Sequence, residues 1–431
     1  MSFDTLVESL RGSAIGRIYR AHLRQFALGR WVARRIVHGI RSYYLAVLRF
    51  QARLPPLRPL PFIRLGKAVA YRDETMLLRP PETVQGAPTR WFPHPPTPAT
   101  ASPAPYEFPA ITAVTLRDAT AHGGCNFITV GDMMIHHDLY DFLRDATTEE
   151  LHARCIIHPF RKTIHWSLRE TALAPLPAAA VFLDGCAANY AHWMTEVLPR
   201  IAIFCATTAE PTIPLLVNDG LHANLRASLA LVAGDHPVIT VPLGQSVAVG
   251  RLVVVSPTGY ISFGHRRHSI KPVEQGIFSP YALNLMRSRL MERAAPPAGS
   301  DYPKRFYVKR NSGGRMLTNA AAIEAALVAQ GFAVVEPEKL SFSEQMHHFA
   351  QAETIVAATG AACVNLLFCR PGARLVVLMA QCAHMPYDYW YNMAAAVGVR
   401  VDYVLGNKVR YLHDDFRVRL EDVLDSVAQV Q

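Results

Sequence analysis

The sequence predicts an α/β protein built from two doubly wound domains that face each other across a cleft. From residue 180 onward, short apolar runs alternate with longer amphipathic segments, which is typical of parallel strands connected by helices. The alternation stops near Gly264, passes a stretch rich in alanine and proline at 294–300, and begins again at Arg305. Because ligands of such sheets bind outside the carboxyl ends of the strands, two consecutive series predict a ligand cleft between two domains.

Residues 111–290 are expected to form the first domain, with short strands such as Cys125–Val130 before its main series. Apolar runs of strand length indicate strands, and longer segments with helical spacing indicate helices. In chain order we expect the strand Ala180–Leu183, the helix Asn189–Phe204, the strand Ile213–Val217, the helix Leu221–Val232, and the strands Val238–Val241 and Leu252–Val255.

Residues 301–410 are expected to form the second domain on the same pattern. In chain order we expect the strand Arg305–Lys309, the helix Asn319–Gln330, the strand Phe332–Val335, the helix Ser343–Gln351, the strand Thr354–Ala358, a helix from Cys363, the strand Arg374–Met379, the helix Tyr387–Val397 and a strand near Val401–Val404. Residues 411–431 are expected to form a final helix that begins near Asp414 and could cross back between the domains.

The first 110 residues differ from the rest. In residues 1–54, ten arginines alternate with apolar residues, which predicts a basic amphipathic helix. Such a helix can lie in the headgroup layer of an anionic membrane, and it can equally be a solvated helix docked on its own protein. Prolines crowd residues 55–110 and predict an extended connector, with regular structure beginning near Ile111.

Composition narrows the class of protein without choosing a partner. Half of the 431 residues are hydrophobic, which excludes a wholly disordered chain. The net charge of +10 suits nucleic acid, an acidic membrane surface or a nucleotide-sugar. Nucleic acid is the weakest of these, because the basic residues cluster in the amphipathic start rather than among aromatic side chains in a groove. Seven cysteines without a Cys-x-x-Cys pair, and no apolar run of about 18 residues, predict a cytosolic protein with reduced thiols.

Small residues after the strand Thr354–Ala358 suggest a phosphate site. Thr359, Gly360 and Ala361 would let the start of a helix approach a ligand closely. Free N–H groups and the helix dipole favour an anion at such a position. Asn365 would face the same ligand from the first turns of that helix. The alternative is that the small residues serve only close packing of the helix on the sheet.

Cations are expected at the same edge of the sheet. Arg310 ends the first strand of the second domain, and Arg315 follows the Ser-Gly-Gly turn at 312–314. A diphosphate bound at the carboxyl ends of the strands would meet both side chains. Alternatively, Arg310 pairs with a surface carboxylate.

The helix predicted from Asn189 carries candidate acid–base residues. His192 and Glu196 are four residues apart and share a helix face with Asn189. A carboxylate there can accept a proton from a substrate hydroxyl, so we expect Glu196 to be a general base, with His192 orienting Glu196 or the substrate. Alternatively, Glu196 pairs with Arg200, and His192 is a satisfied core residue beside Trp193. Histidine pairs elsewhere lack partners at metal-ligand spacing, so we expect no metal site.

Three blocks of the sequence, in order and at similar spacing, resemble glycosyltransferase family 61, whose bacterial members are often described as capsular polysaccharide biosynthesis proteins. The resemblance covers about residues 185–403. The blocks are Asn189–Arg200; Arg310, Arg315 and Asn319 with Gly331–Phe332 and Glu336–Gln345; and Gly360–Ala361, Asn365 and Pro371–Gly372.

The resemblance implies two Rossmann-like domains in the GT-B architecture, with the acceptor bound by the first domain and the nucleotide by the second. It also implies no obligatory metal or other cofactor, and the sequence agrees in lacking an Asp-x-Asp motif. On this reading Glu196 and His192 are catalytic, and Asn189 and Trp193 lie on the acceptor side or in the cleft. The donor-binding residues would be Arg310, Arg315, Glu336, Gln345, Thr359, Gly360, Ala361 and Asn365.

The sequence departs from the family at Thr359, where histidine is usual, and at Ala320, where an acidic residue is common. A threonine hydroxyl can still donate to a phosphate oxygen. We therefore expect an inverting glycosyltransferase that moves a sugar from a nucleotide-sugar, UDP-linked, to a glycan or lipid-linked glycan in surface polysaccharide synthesis. It would be cytoplasmic, or peripheral on the inner face of the cell membrane through residues 1–54. The alternative is a non-catalytic relative that binds nucleotide or glycan and organises a polysaccharide assembly machine.

Overall fold

The computed structural model describes most of the chain. The described residues are 6–7, 9–10, 13–23, 26–51, 59–96, 104–166, 170–208, 210–262, 264–266, 276–294, 296, 302–310, 315–382, 387–410 and 413–428. The turn predicted at 312–314 and most of the linker predicted at 294–300 lie outside them.

Strands occur in nearly every part of the described chain. In chain order they are β1 (Leu60–Arg64), β2 (Arg72–Arg79), β3 (Glu82–Val84), β4 (Trp91–Phe92), β5 (Tyr106–Phe108), β6 (Ile111–His122), β7 (Ile128–Val130), β8 (Met133–His136), β9 (Asp145–Ala146), β10 (Cys155–His158), β11 (Thr163–Trp166), β12 (Thr171–Ala172), β13 (Leu176–Val181), β14 (Leu215–Asn218), β15 (Val238–Val241), β16 (Gln245–Val255), β17 (Gly259–Tyr260), β18 (Gly264–His265), β19 (Ile277–Phe278), β20 (Arg305–Val308), β21 (Ala333–Val335), β22 (Thr354–Ala358), β23 (Arg374–Ala380), β24 (Arg400–Arg410) and β25 (His413–Arg417).

Helices alternate with these strands in the second half of the chain. In chain order the α-helices are α1 (Ala14–Ile18), α2 (Ala27–Gln51), α3 (Thr148–Leu151), α4 (Tyr190–His192), α5 (Leu198–Thr207), α6 (Ala223–Ala233), α7 (Pro280–Arg293), α8 (Ala320–Ala329), α9 (Phe342–Ala350), α10 (Tyr387–Val397) and α11 (Leu420–Ala428). A π turn at Trp193–Val197 joins α4 to α5, and a 3-10 helix spans Ala361–Phe368. The predicted α/β class is therefore confirmed.

The first large sheet contains a parallel group of four strands. Their order in space is β16-β13-β14-β15, and each neighbouring pair is parallel. This order reverses between β13, the first of the four along the chain, and β16, the last. Beyond β16 the sheet continues through the antiparallel strands β6 and β7. Ligands of parallel sheets bind at such reversal points, outside the carboxyl ends of the strands.

The second large sheet is parallel over five strands in the order β21-β20-β22-β23-β24. The antiparallel strand β25 pairs with β24 at one edge. Here the order reverses between β20 and β22, whose carboxyl ends are Val308 and Ala358. The two large sheets thus offer one reversal point each.

Two predictions about the ends of the chain are wrong. Regular structure does not begin near Ile111, because β1 to β5 precede it within the stretch predicted to be a connector. Its prolines crowd the part between β4 and β5 and leave residues such as those of β2 free to pair. The final segment is not a helix from Asp414, because β25 occupies His413–Arg417 and α11 follows it. Helix α11 packs on α8 and β24, beside the second sheet, rather than crossing back to the first.

A shared apolar core joins the two sheets. Phe182 and Trp193 from the first half belong to the same buried cluster as Phe306 and Phe342 from the second. Burial of one large apolar side chain contributes about 1.5–3 kcal/mol of transfer free energy, so the shared cluster holds the halves firmly together.

The N-terminal helix α2 is attached to the body on one side. Its Arg30 forms a buried ion pair with Asp415, and Leu48 is also buried. Within the described part of the chain, no helix has both the length and the apolar character needed to cross a bilayer.

Candidate active site

The run from Asp184 to Arg200 carries the acid–base residues, and two of its members determine its local structure. Asn189 caps the first turn of α4 with its side-chain oxygen. Pro199 has no N–H to donate to the carbonyl of Thr195, and its ring would crowd that carbonyl in a regular α-helix. The chain forms the π turn at Trp193–Val197 at this place instead.

His192 and Glu196 form a buried pair across the π turn. Nδ1 of His192 lies 2.5 Å from Oε2 of Glu196. The other oxygen of Glu196 accepts the backbone N–H of Ile261 at 2.5 Å. Burial alone would lower the pKa of His192, but the Glu196 carboxylate and hydrogen bonds with Cys186 and Glu196 raise the pKa well above its usual value. At neutral pH the His192 ring is therefore an imidazolium that donates to Glu196.

The alternative interpretation expected Arg200 to pair with the Glu196 carboxylate, and the structure shows a different arrangement. Nε of Arg200 donates to the backbone carbonyl of Glu196 at 2.6 Å. Its guanidinium lies 3.6 Å from a carboxylate oxygen of Asp184. The charge of Arg200 is thus directed to a residue that the sequence analysis did not single out.

Asp184 follows β13 and is buried beside this pair. Its Oδ1 accepts the backbone N–H of Cys186 at 2.7 Å. Burial, and next the negative charge of Glu196, raise the pKa of Asp184 to about 6 against the lowering effect of Arg200. The sequence held a signal for this residue, since it directly follows the predicted strand Ala180–Leu183 and so lies at a ligand-binding edge.

These side chains line a cavity of about 50 Å³ at the reversal point of the first sheet. It lies between the carboxyl ends of β13 and β16, where a ligand is expected. The charged lining residues include Asp184, His192, Glu196 and Arg200, and the lining also includes Pro257 and Gly259–Ile261. The cavity has room for a hydroxyl group or a water molecule among several polar partners.

A larger cavity of about 450 Å³ lies at the reversal point of the second sheet and is bounded by both halves of the chain. Five of the predicted donor-binding residues line it: Arg310, Arg315, Gln345, Gly360 and Ala361. The first half contributes Ala188, Tyr190, His222 and Asn224, which the sequence analysis missed as site residues. His222 follows β14, so its position at a strand end was the available signal.

Arg310 and Gly360 approach each other closely at this cavity. The guanidinium of Arg310 donates to the backbone carbonyl of Thr359. A Cβ atom on residue 360 would collide with that guanidinium, so a side chain there would displace Arg310 from its place. The hydroxyl of Thr359 is buried and accepts the indole N–H of Trp390 at 3.0 Å. Thr359 is therefore outside the cavity lining, contrary to the expectation that its hydroxyl faces a phosphate.

Asn365 does not face the cavity either, because its side chain is fully buried. The hydroxyl of Tyr190 donates to its Oδ1, and its Nδ2 donates to Oε1 of Gln345 at 3.1 Å. Gln345 in turn donates to the carbonyl of Pro337 at 2.8 Å. Asn365 thus holds two residues of the cavity wall, Tyr190 and Gln345, in place.

Three further predicted site residues lie elsewhere. Trp193 is in the core, where its indole N–H donates to Ser228 at 2.9 Å, because its large ring is part of the shared apolar cluster. Glu336 pairs with Lys339 at 2.8 Å instead of lining the cavity. Asn189 serves as the helix cap.

The two cavities are close neighbours. Asp184, Cys186 and His192 line the smaller one, while Ala188 and Tyr190, between them in sequence, line the larger one. Burial raises the pKa of the Tyr389 phenol, and this phenol interacts electrostatically with Glu196 at the smaller cavity and with Arg315 at the larger one. Among the residues for which coordinates are described, no group of three or more His, Cys, Asp or Glu side chains could hold a metal ion.

Residues 190–376 match the family model for glycosyltransferase 61. The matched segment contains His192, Glu196, Arg310 and Gly360, and it begins after Asp184. No curated protein matches the chain. The domain supports a glycosyltransferase enzyme, and the family implies a sugar donor and a glycan acceptor.

Proposed function

From the glycosyltransferase 61 domain, we propose that the chain transfers a sugar from a UDP-linked nucleotide-sugar to a glycan or lipid-linked glycan in bacterial surface polysaccharide synthesis. One observation carries the proposal. An acid–base cluster and a cation-lined cavity lie side by side, each where the strand order of its sheet reverses. A donor in the larger cavity would present its sugar toward an acceptor hydroxyl at the smaller one.

The proposed donor site is the larger cavity. Its volume of about 450 Å³ falls within the range of about 300–1,000 Å³ that is usual for ligand pockets. Arg310 and Arg315 provide positive charge for a diphosphate, and the backbone that follows Gly360 provides N–H donors. Since protein cations take the role of balancing the diphosphate charge, we propose a transfer that needs no metal.

In the proposed reaction the acceptor hydroxyl attacks the anomeric carbon from the face opposite the diphosphate. Its proton passes to the acid–base cluster as the new carbon–oxygen bond forms. The bond between the sugar and the phosphate oxygen breaks, and its electron pair leaves on the nucleoside diphosphate. The arginines stabilise the charge that develops there, and the sugar configuration inverts.

We extend the proposal to architecture and location. The two sheets would correspond to the two domains of the GT-B architecture, residues 111–290 for the acceptor and 301–410 for the donor. The N-terminal helices would bind the anionic inner face of the cell membrane. In support, the sequence has no acidic residue between Glu8 and Asp73, and α2 exposes large apolar side chains such as Leu28 and Phe50.

A non-catalytic nucleotide- or glycan-binding relative is the second candidate. Its support is Thr359, which stands where the family usually has histidine and whose hydroxyl is taken by Trp390. Against it stands the buried acid–base cluster, because burying ionised groups beside a cavity is costly even when they are paired, and such groups concentrate at functional sites. Donor turnover separates the two candidates, since a binding module shows affinity alone.

The experiment combines a donor panel with one variant. Nucleotide-sugars that bind the native state raise the melting temperature by mass action, and turnover is then measured with the donor that binds. Arg310→Ala should weaken donor binding about tenfold to a hundredfold, because a charge-assisted hydrogen bond contributes about 1.5–3 kcal/mol. Arg251→Ala is the control, since Arg251 pairs with Glu210 at the exposed surface. Equal donor affinity in both variants would remove Arg310 from the site.

A further inference from the structure

Two carboxylates line the smaller cavity, and they differ in how their oxygens are used. Both oxygens of Glu196 have close donors, His192 on one side and the Ile261 N–H on the other. Each oxygen of Glu196 thus accepts a short hydrogen bond, which stabilises the charged carboxylate and makes that oxygen a weaker proton acceptor. Glu196 is therefore suited to hold His192 and the chain at Ile261 in position.

Asp184 has a different arrangement. Among the residues that the structure describes, its Oδ1 accepts a backbone hydrogen bond from Cys186 and its Oδ2 accepts none. Its Oδ2 lies 3.6 Å from Arg200, which is too far for a hydrogen bond. The backbone of Asp184 is fixed by two hydrogen bonds with the Asn218 side chain, at 3.0 and 2.8 Å. A rigidly held carboxylate thus has one oxygen available at a ligand-binding edge.

We propose that Asp184, rather than Glu196, is the catalytic base of the transfer. This inference rests on the proposed function. The acceptor hydroxyl gives its proton to Oδ2 of Asp184 while its oxygen bonds to the anomeric carbon, and the electron pair of the broken bond leaves with the diphosphate. Arg200 then faces the protonated carboxyl, and the proton passes to solvent after the product leaves. His192 and Glu196 are positioning residues in this scheme.

The ionisation of Asp184 suits this role. Burial and the charge of Glu196 raise its pKa to about 6, so the group is ionised at neutral pH yet basic enough to accept a proton. The groups facing it from other elements do not titrate near pH 6. His136 at the end of β8 and His137 directly after it have pKa values below the usual range for histidine. The pKa values of Cys186, His192 and Tyr260 lie well above 6.

The test compares Asp184→Asn with Glu196→Gln, and uses Asp73→Asn on the surface as the control. Asp184→Asn should lower kcat by about 10²–10⁴-fold with unchanged donor affinity, the usual cost of losing a general base. The wild-type pH profile of kcat should fall on the acid side near pH 6. In Glu196→Gln this limb should move to lower pH, because the charge that raises the pKa of Asp184 is gone.

A second measurement separates catalysis from structure. An ionised, buried Asp184 destabilises the fold at neutral pH, so Asp184→Asn should melt higher than wild type at pH 8. This advantage should shrink at pH 5 and vanish only below the unfolded pKa of 3.8. A purely structural Asp184 would give a lower melting temperature at both pH 8 and pH 5. Retention of more than about a tenth of kcat in Asp184→Asn, or an acid limb near pH 6 that persists in it, would overturn the assignment. A wild-type protein that binds donors but turns none over would instead overturn the proposed function, and the assignment with it.

Discussion

Gly360 is glycine because of what it touches, not because of its backbone conformation. Its φ of 169° is ordinary extended backbone, so alanine adds no torsional strain. The cost of a side chain there is the collision with the Arg310 guanidinium. The residue thereby connects a sequence pattern, small residues after a strand, to the placement of a cation at the proposed donor site.

Gly360→Ala should weaken donor binding about tenfold or more by displacing Arg310 from the Thr359 carbonyl. The double variant Gly360→Ala/Arg310→Ala should bind no more weakly than Arg310→Ala alone, because both changes remove the same contact. Titration calorimetry measures the affinities. Gly39→Ala, in α2 with open space around the position, is the control. Additive losses in the double variant would contradict the coupling.

Asp184 illustrates a stability cost at a site. The fold raises the pKa of Asp184 from 3.8 to about 6. The contribution of this group to the stability of the fold is therefore complete below pH 3.8 and is lost as the pH rises through 6. At neutral pH the ionised group therefore costs about 3 kcal/mol relative to a fold without the shift. The sequence places Asp184 at a strand end, but the shift depends on burial and on Glu196, which only the folded structure brings together.

Side-chain directions were the least predictable feature of the site. The sequence identifies the pairing of His192 with Glu196, because residues four apart share a helix face. It identifies Arg310 and Gly360 as well, because each lies just after a predicted strand. It does not reveal that Asn365 is buried, because its partners Tyr190 and Gln345 come from distant parts of the chain. Only packing between the two halves determines that contact.

Helix α2 has one exposed, apolar face and one face that is buried against the body. At about 100° per residue, the exposed Leu28, Ile36 and Phe50 fall within about 80° of the circumference. The buried Arg30 and Leu48 lie on the opposite side of the helix. An element docked through one face and apolar on the other can present the second face to a membrane.

Replacing Leu28, Ile36 and Phe50 together by serine should weaken binding to phosphatidylglycerol-containing vesicles about tenfold or more, since each inserted side chain contributes about 1.5–3 kcal/mol when fully buried. Turnover with a soluble acceptor should be unchanged. Flotation measures the binding, and wild-type binding should fall as salt rises. Leu77→Ser, an exposed apolar residue on β2, is the control. Equal flotation of the triple variant and the wild type would show that this face of α2 does not bind the membrane.

Elements with local patterns were predicted best. The strands Val238–Val241 and Thr354–Ala358 and the helix Tyr387–Val397 have the predicted bounds. The antiparallel part of the first sheet was not foreseen, because β6 pairs with β16 far along the chain and such pairing leaves no local signature. The helix expected from Cys363 is a 3-10 helix that begins at Ala361.

At the scale of the whole molecule, the bond between Tyr190 and Asn365 joins the two halves at the wall of the proposed donor cavity. Asn365→Ala would leave the Tyr190 hydroxyl and the side-chain oxygen of Gln345 without their partner. Unsatisfied buried polar groups cost about 1–3 kcal/mol, so the melting temperature should fall together with donor affinity. Calorimetry on both quantities checks this expectation.

The matched control is Tyr190→Phe, which keeps the ring and removes the hydroxyl, and should have a smaller effect on both quantities. Arg310→Ala should differ from Asn365→Ala by lowering donor affinity without lowering the melting temperature. If Asn365→Ala lost donor affinity at full stability, Asn365 would have to contact the donor directly. The comparison therefore tests whether the residue acts through the joined halves.

The π turn at Trp193–Val197 restricts how this chain can evolve. A π turn holds one residue more than an α turn, so deleting a residue there would shift the helical register and rotate everything before it by about 100° relative to α5. Met194 and Ile201 are both fully buried and could not both stay so after such a rotation. Single-residue deletions should be absent from any lineage that retains the acid–base cluster.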